Sequence, residues 1–175
     1  MTWKSFHRRG EVLRAVGVAA DARRDGILPT DVEGVAETFP DDLALLGALQ
    51  LRWFTRLAGR IEGQLADQPL DLEAAVVAAW CQTAAEMPGV RAVIDTARET
   101  PADEATARAM KVSAAKERVL LAVMAGRGSG ADEAAARAGE AIEQRARAAY
   151  VPAPAPTGPA RAGLVDRLKA VLAAA

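Results

Sequence analysis

The chain is poor in the residues that usually carry chemistry. It has one cysteine and one histidine in 175 residues. A single cysteine closes no disulfide within the chain and builds no zinc framework, and it fits a reducing, cytoplasmic setting. A single histidine does not supply the two Glu-x-x-His units of a ferritin-like di-metal centre. No metal and no cofactor is therefore expected. Nothing in the sequence marks a partner for His7 as an acid–base group. No serine stands in a Gly-x-Ser-x-Gly elbow. The glycine-rich stretch 126–130, GRGSG, lacks the Lys-Ser/Thr of a phosphate-binding loop. With no catalytic residue set to assemble, the expectation is a non-enzymatic protein.

Other absences narrow the class further. Nowhere do 18 apolar residues run consecutively, so no membrane-spanning helix is expected. The charged N-terminal stretch has no apolar run behind it and does not match a signal peptide. A basic excess is missing too: the net charge is -1, which makes nucleic acid an unlikely partner. Aromatics are scarce, with three Trp, three Phe and one Tyr.

What is abundant is alanine, 42 residues, and with Arg, Leu and Glu it makes a sequence rich in strong helix formers. No stretch alternates with the period of a strand. The sequence thus predicts an all-α protein, a compact bundle of six or seven helices. Residues 1–150 form the helical domain, 151–160 a Pro/Ala-rich linker, and 161–175 a short amphipathic helix. The first helix should start after Thr2 and end near Arg24, and a short one should run from Asp31 to Thr38, capped by Thr30. Asp41 and Asp42 open the clearest helix, in which Leu46, Leu49, Trp53, Leu57 and Ile61 share one face. Asp71 should cap the next, and Pro88-Gly89 should break it. Pro101 is expected at the first position of a helix reaching about Ala125. Gly126 or Gly128 then ends it, and Ser129 or Asp132 caps the last helix of the body.

Several residues are candidates for a site. Arg52, Arg56 and Arg60 recur every four residues and stack three guanidiniums on one helix face. They suit an anion, or pairing with the acidic stretch 25–50, which has six acids and no basic residue. Glu117 falls between Ala114 and Leu121 on an apolar face. There it needs an arginine partner such as Arg14 or Arg56, lines a polar pocket, or sits at the rim. Trp53 and Trp80 either line a ligand cavity between helices or fill the gaps between alanine-rich helices. Cys81, beside Trp80, reads as a small core residue.

The C-terminal stretch differs in style. Pro152, Pro154, Pro156 and Pro159 favour an extended polyproline arm. Beyond it, Leu164, Val165, Leu168, Val171 and Leu172 share one side of a helical wheel, with Asp166, Arg167 and Lys169 opposite. A helix of about 14 residues is marginal alone in water, so this face should be covered. Its own body, a second copy or a protein partner are the candidates, and a membrane surface is the weakest for want of aromatics and charge. The segments DLEAAVVAAW, MPGVRAVID and AKERVLLAVMAGR resemble a group of helical proteins of high-GC bacteria with no assigned function. The resemblance implies an all-helical body and no particular activity. The chain departs from TetR-type regulators, whose helix-turn-helix has no counterpart near its N-terminus. Two functional expectations follow. One is a protein–protein interaction module with the C-terminal helix as a docking element. The other is a small-molecule or anion sensor with a pocket between helices.

Overall fold

The computed structural model describes residues 3–130 and 132–152, with side chains from residue 7 onward. The described residues form seven helices and no strand: α1 Trp3–Arg23, α2 Val35–Thr38, α3 Asp42–Ala66, α4 Leu72–Glu86, α5 Pro88–Glu99, α6 Glu104–Met124 and α7 Glu133–Ala149. The all-α bundle expected from composition is the fold observed. No described helix is long and apolar enough to cross a membrane.

Aspartates start four of the helices. Asp41, Asp71, Asp103 and Asp132 each accept a hydrogen bond from a backbone N–H three residues on, at 2.7–2.9 Å. Each side chain satisfies a donor that the first turn leaves orphaned, typically worth about 1 kcal/mol. Asp103 corrects one expectation: α6 begins at Glu104, and Pro101 lies in the preceding turn. Asp132, not Ser129, caps α7. At the end of α6, Gly126 takes a left-handed φ of 70°. Gly126 N–H donates to the Val123 carbonyl and Arg127 N–H to that of Ala122. This Schellman closure accounts for the glycine-rich stretch without a ligand. The short helix is later than expected. Gly34, at φ 85°, interrupts the segment, and only Val35–Thr38 is helical, with no side-chain cap.

α3 is the axis of the core, packing against α4, α6, α5 and α1. Leu45, Leu49, Trp53, Leu57 and Ile61 are completely buried along it. Trp53 meets Trp80 of α4 edge to face at 5.8 Å, a favourable arrangement for two quadrupoles. Truncating either ring to alanine would cost about 3–5 kcal/mol. Two glycines let helix backbones touch. A Cβ on Gly89 of α5 would overlap the Ala20 carbonyl of α1, and one on Gly139 of α7 would overlap that of Arg118 of α6. At the first of these contacts, Asp21 of α1 accepts from the Gly89 and Val90 N–H groups, at 2.8 and 3.2 Å. It caps α5 from a neighbouring helix, because Met87 at the cap position has no side-chain acceptor.

Candidate functional site

Glu117 is fully buried, at the centre of an ionic cluster that ties α4, α5, α6 and α7 together. Its Oε1 accepts from Trp80 Nε1 at 3.2 Å and from Arg91 Nη1 at 3.1 Å. Its Oε2 accepts from Arg98 Nη2 at 2.7 Å. The partners are Arg91 and Arg98 of α5; neither Arg14 nor Arg56 reaches this carboxylate. The Arg91 guanidinium lies 4.8 Å from the Trp53 ring and 5.6 Å from the Trp80 ring. It packs against both rings; Trp53 is fully buried, and Trp80 also lines a cleft. A cation against two aromatic faces in a dry setting is a favourable contact in its own right.

The cluster extends outward through Asp95, which accepts from Arg91 Nε and Nη2. On its other side, Arg147 of α7 donates to Asp95 as a two-toothed fork at 2.7 and 3.1 Å. Burial works against the Asp95 charge, but hydrogen bonds from Arg91 and Arg147 outweigh it and hold the carboxyl at about 2. Glu143 of α7 accepts from Arg118 at 3.0 Å, Arg147 at 2.9 Å and Arg98 at 3.3 Å. Its pKa is likewise below the ordinary value: burial raises it, and the hydrogen bonds from Arg118 and Arg147 more than reverse this. With Glu140 on Arg118, four guanidiniums face four carboxylates. The arrangement locks four helices in one register, and each carboxylate is already engaged by guanidinium donors. Among the described residues no group of three or more His, Cys, Asp and Glu is placed to hold a metal.

Two clefts flank this cluster. One, of about 490 Å³, is lined by Arg24, Trp80, Arg91, Asp95, Arg147 and Tyr150. The Tyr150 hydroxyl donates to the Ala84 carbonyl at 3.2 Å, and burial pushes its pKa up. The other, of about 340 Å³, lies on the far side of Asp95, against Arg98, Met110, Lys111 and Glu143.

The arginine row divides. Arg56 and Arg60 both bond Glu86 at the end of α4, at 2.7 and 2.5 Å. The hydrogen bond from Arg56 leads in holding the Glu86 carboxyl below its usual range. Arg52 does not join Glu86 but lines, with Arg56 and Glu86, a groove of about 920 Å³ that also takes in Arg9, Asp21 and Met87. The acidic stretch is matched elsewhere, where Arg23 makes a two-toothed pair with Asp31. Cys81 is half-buried; its thiol donates to the Ala146 carbonyl at 3.4 Å, and burial raises its pKa.

The opposite side of α6 carries a different surface. Phe54 of α3, Val112, Val119, Leu120 and Val123 of α6, and Ala136 of α7 line an open, almost wholly apolar groove of about 640 Å³. Val112 is 54% exposed and Val123 39%. Lys116 and Asp132 stand at its margin. The C-terminal face of Leu164, Val165, Leu168, Val171 and Leu172 lies outside the described residues.

Sequence reasoning singled out Glu117 but not Arg91, Asp95, Arg98, Glu143 or Arg147. A signal was present. Arg91–Asp95 and Glu143–Arg147 are both i, i+4 pairs of opposite charge. Arg91 also sits beside Val90 and Ile94 on the buried face of α5. No family model, curated protein or solved structure matches the chain.

Proposed function

We propose that the protein is a non-enzymatic, helical protein–protein interaction module, with the C-terminal amphipathic segment as its docking element. The observation that carries this reading is the α3/α6/α7 groove. Val112 and Val123 stand open to water on a helix whose opposite face buries a carboxylate. Isolated exposed valines are ordinary, but a contiguous apolar groove marks an interaction surface. Its shape suits an amphipathic helix presenting side chains at i, i+3, i+4 and i+7, and the chain carries such a pattern at 164–172.

Native mass measurement of the full chain, alongside a Val112→Lys/Val123→Lys variant, tests the reading. A defined complex with a partner protein, lost in the variant, is the expected result. A bare monomer in both cases contradicts it.

A second reading, a small-anion sensor, draws on the cleft at Trp80 and Tyr150, where Arg24, Arg91 and Arg147 gather. Asp95 already bridges two of these guanidiniums, so an incoming phosphate or carboxylate must compete with it. Titration with inorganic phosphate, followed by tryptophan fluorescence, checks this. An unchanged signal up to millimolar phosphate contradicts it.

A further inference from the structure

We infer that the α3/α6/α7 groove is occupied in the free protein by the chain's own C-terminal segment, residues 161–175, docked in cis. The inference rests on the interaction-module reading and adds a regulation to it: a partner must first displace the tail.

Reach is the first argument. The described chain ends at Pro152, which lines the cleft at Trp80 beyond the C-terminus of α7. The groove lies at the other end of that helix, at Asp132 and Ala136. From Ala136 to Ala149 the helix rises about 20 Å. Residues 153–160 are 8 in number and include Pro154, Pro156 and Pro159, and at about 3.1 Å per residue an extended proline-rich strand of that length spans about 25 Å. A tether of that length is long enough to run back along α7.

Fit is the second argument. Along α6 the groove runs from Val112 to Val123, about 16 Å at the helical rise. The apolar face of the segment, Leu164 to Leu172, covers about 12 Å by the same measure. The groove offers valine, leucine, phenylalanine and alanine with a single cation and a single anion at its margin, Lys116 and Asp132. The segment offers leucine and valine flanked on its wheel by Arg167 and Lys169, with Asp166 at the back, so a cation is available to the Asp132 rim. Tethering supplies a local concentration on the order of millimolar, so that cis occupancy prevails over a second copy at ordinary protein concentrations.

The test uses the full chain with Cys81→Ser, which removes the one native thiol. Leu168→Cys is combined with Val119→Cys in the groove, or with Val18→Cys on α1. Val18 is 66% exposed and lies on the helix whose end shares the Trp80 cleft with Pro152, so the tether also reaches it. Under mild oxidation, non-reducing electrophoresis and mass analysis report intrachain and interchain disulfides. Docking in cis gives a monomeric, crosslinked Val119 pair at least tenfold faster than the Val18 pair. Equal rates for the two pairs overturn the inference, because the tail is then undirected. A disulfide dimer as the main Val119 product also overturns it, while leaving the groove a helix receptor and the interaction reading intact. Conversely, fast cis crosslinking in a protein that stays a bare monomer in the native mass measurement upholds the cis dock and removes the interaction reading.

Discussion

Each face of α6 carries an exception to the usual arrangement. One face buries Glu117 completely, and the other leaves Val112 and Val123 in water. Each is costly by itself. An ionised carboxylate taken from water costs several kcal/mol, recovered only by good geometry and full hydrogen bonding. Exposed methyl groups forfeit about 25 cal/mol per Å² of apolar surface that could have been covered. A half-turn rotation of α6 would place the valines inward and Glu117 outward. Gly139 prevents it: α7 lies backbone against backbone on α6 at the Arg118 carbonyl, and the Arg118–Glu143 bond fixes the register. The difference teaches that the buried charge and the open groove are one feature. The face that holds Glu117 inward for Arg91 and Arg98, together with Met110, Leu121 and Ala122, is the one opposite the valines.

The largest effect is expected where that arrangement is broken from the inside. Glu117→Leu leaves Arg91, only 3% exposed, without its innermost partner, and removing one member of a buried pair costs about 3–5 kcal/mol. Urea unfolding midpoints measure it. The pairing is coupled, so Glu117→Leu with Arg91→Met should lose clearly less than the two single losses added together. Simple additivity would contradict the cluster as described.

A smaller effect follows from pH. Asp95 has its pKa depressed in the folded chain, from 3.8 to about 2. Its contribution is therefore present above the unfolded pKa and is lost as pH falls through the folded one, between about pH 4 and pH 2. A shift of that size corresponds to about 2 kcal/mol. Glu143 is shifted in the same direction and adds to the loss, whereas Asp21 is raised by burial and opposes it. Asp95→Asn should flatten this acid limb of stability, measured by denaturant titration at a series of pH values. An unchanged limb contradicts the assignment.

The smallest effect on stability belongs to the groove. Val112→Lys/Val123→Lys touches only exposed methyls and should change the stability of the helical body by about 0.5 kcal/mol or less. It should nonetheless abolish docking. A loss approaching that of Glu117→Leu would mean that these valines are core residues after all.

Much of the fold was legible because local signals agreed. Asp71 caps as its position implies, Asp132 proves the cap of the two candidates, Asp41 stands at the helix start its charge favours, Pro88 breaks where expected, and Leu46 to Ile61 line the core at the helical period. Pro101 misled because the better N-terminal signal, Asp103 with its side-chain bond to Thr106, stands two residues later. The short helix misled because Gly34 adopts a left-handed conformation that Thr30 and Glu33 do not reveal. The site was half legible. Glu117 stood out as a charge in an apolar stripe, but its arginine partners lie on α5, 26 and 19 residues away, and helix order in a bundle has no local signature. Arginine counts pointed to the i, i+4, i+8 row on α3, whose members Arg56 and Arg60 settle on Glu86. The arginines that enter the core look, in sequence, like ordinary surface charges.

Solvent access to the groove in the intact protein tests the account most directly. Methyl relaxation enhancement by a soluble paramagnetic agent ranks side chains by exposure. Leu70, 107% exposed, and Val76, 0% exposed, set the two ends of the scale. A covered groove predicts that the Val112, Val119 and Val123 methyls relax close to Val76 in the full chain, and move toward Leu70 on Leu168→Asp. Methyls at Val112 and Val123 that relax close to Leu70 in the unaltered full chain would contradict it, because nothing would then be docked there.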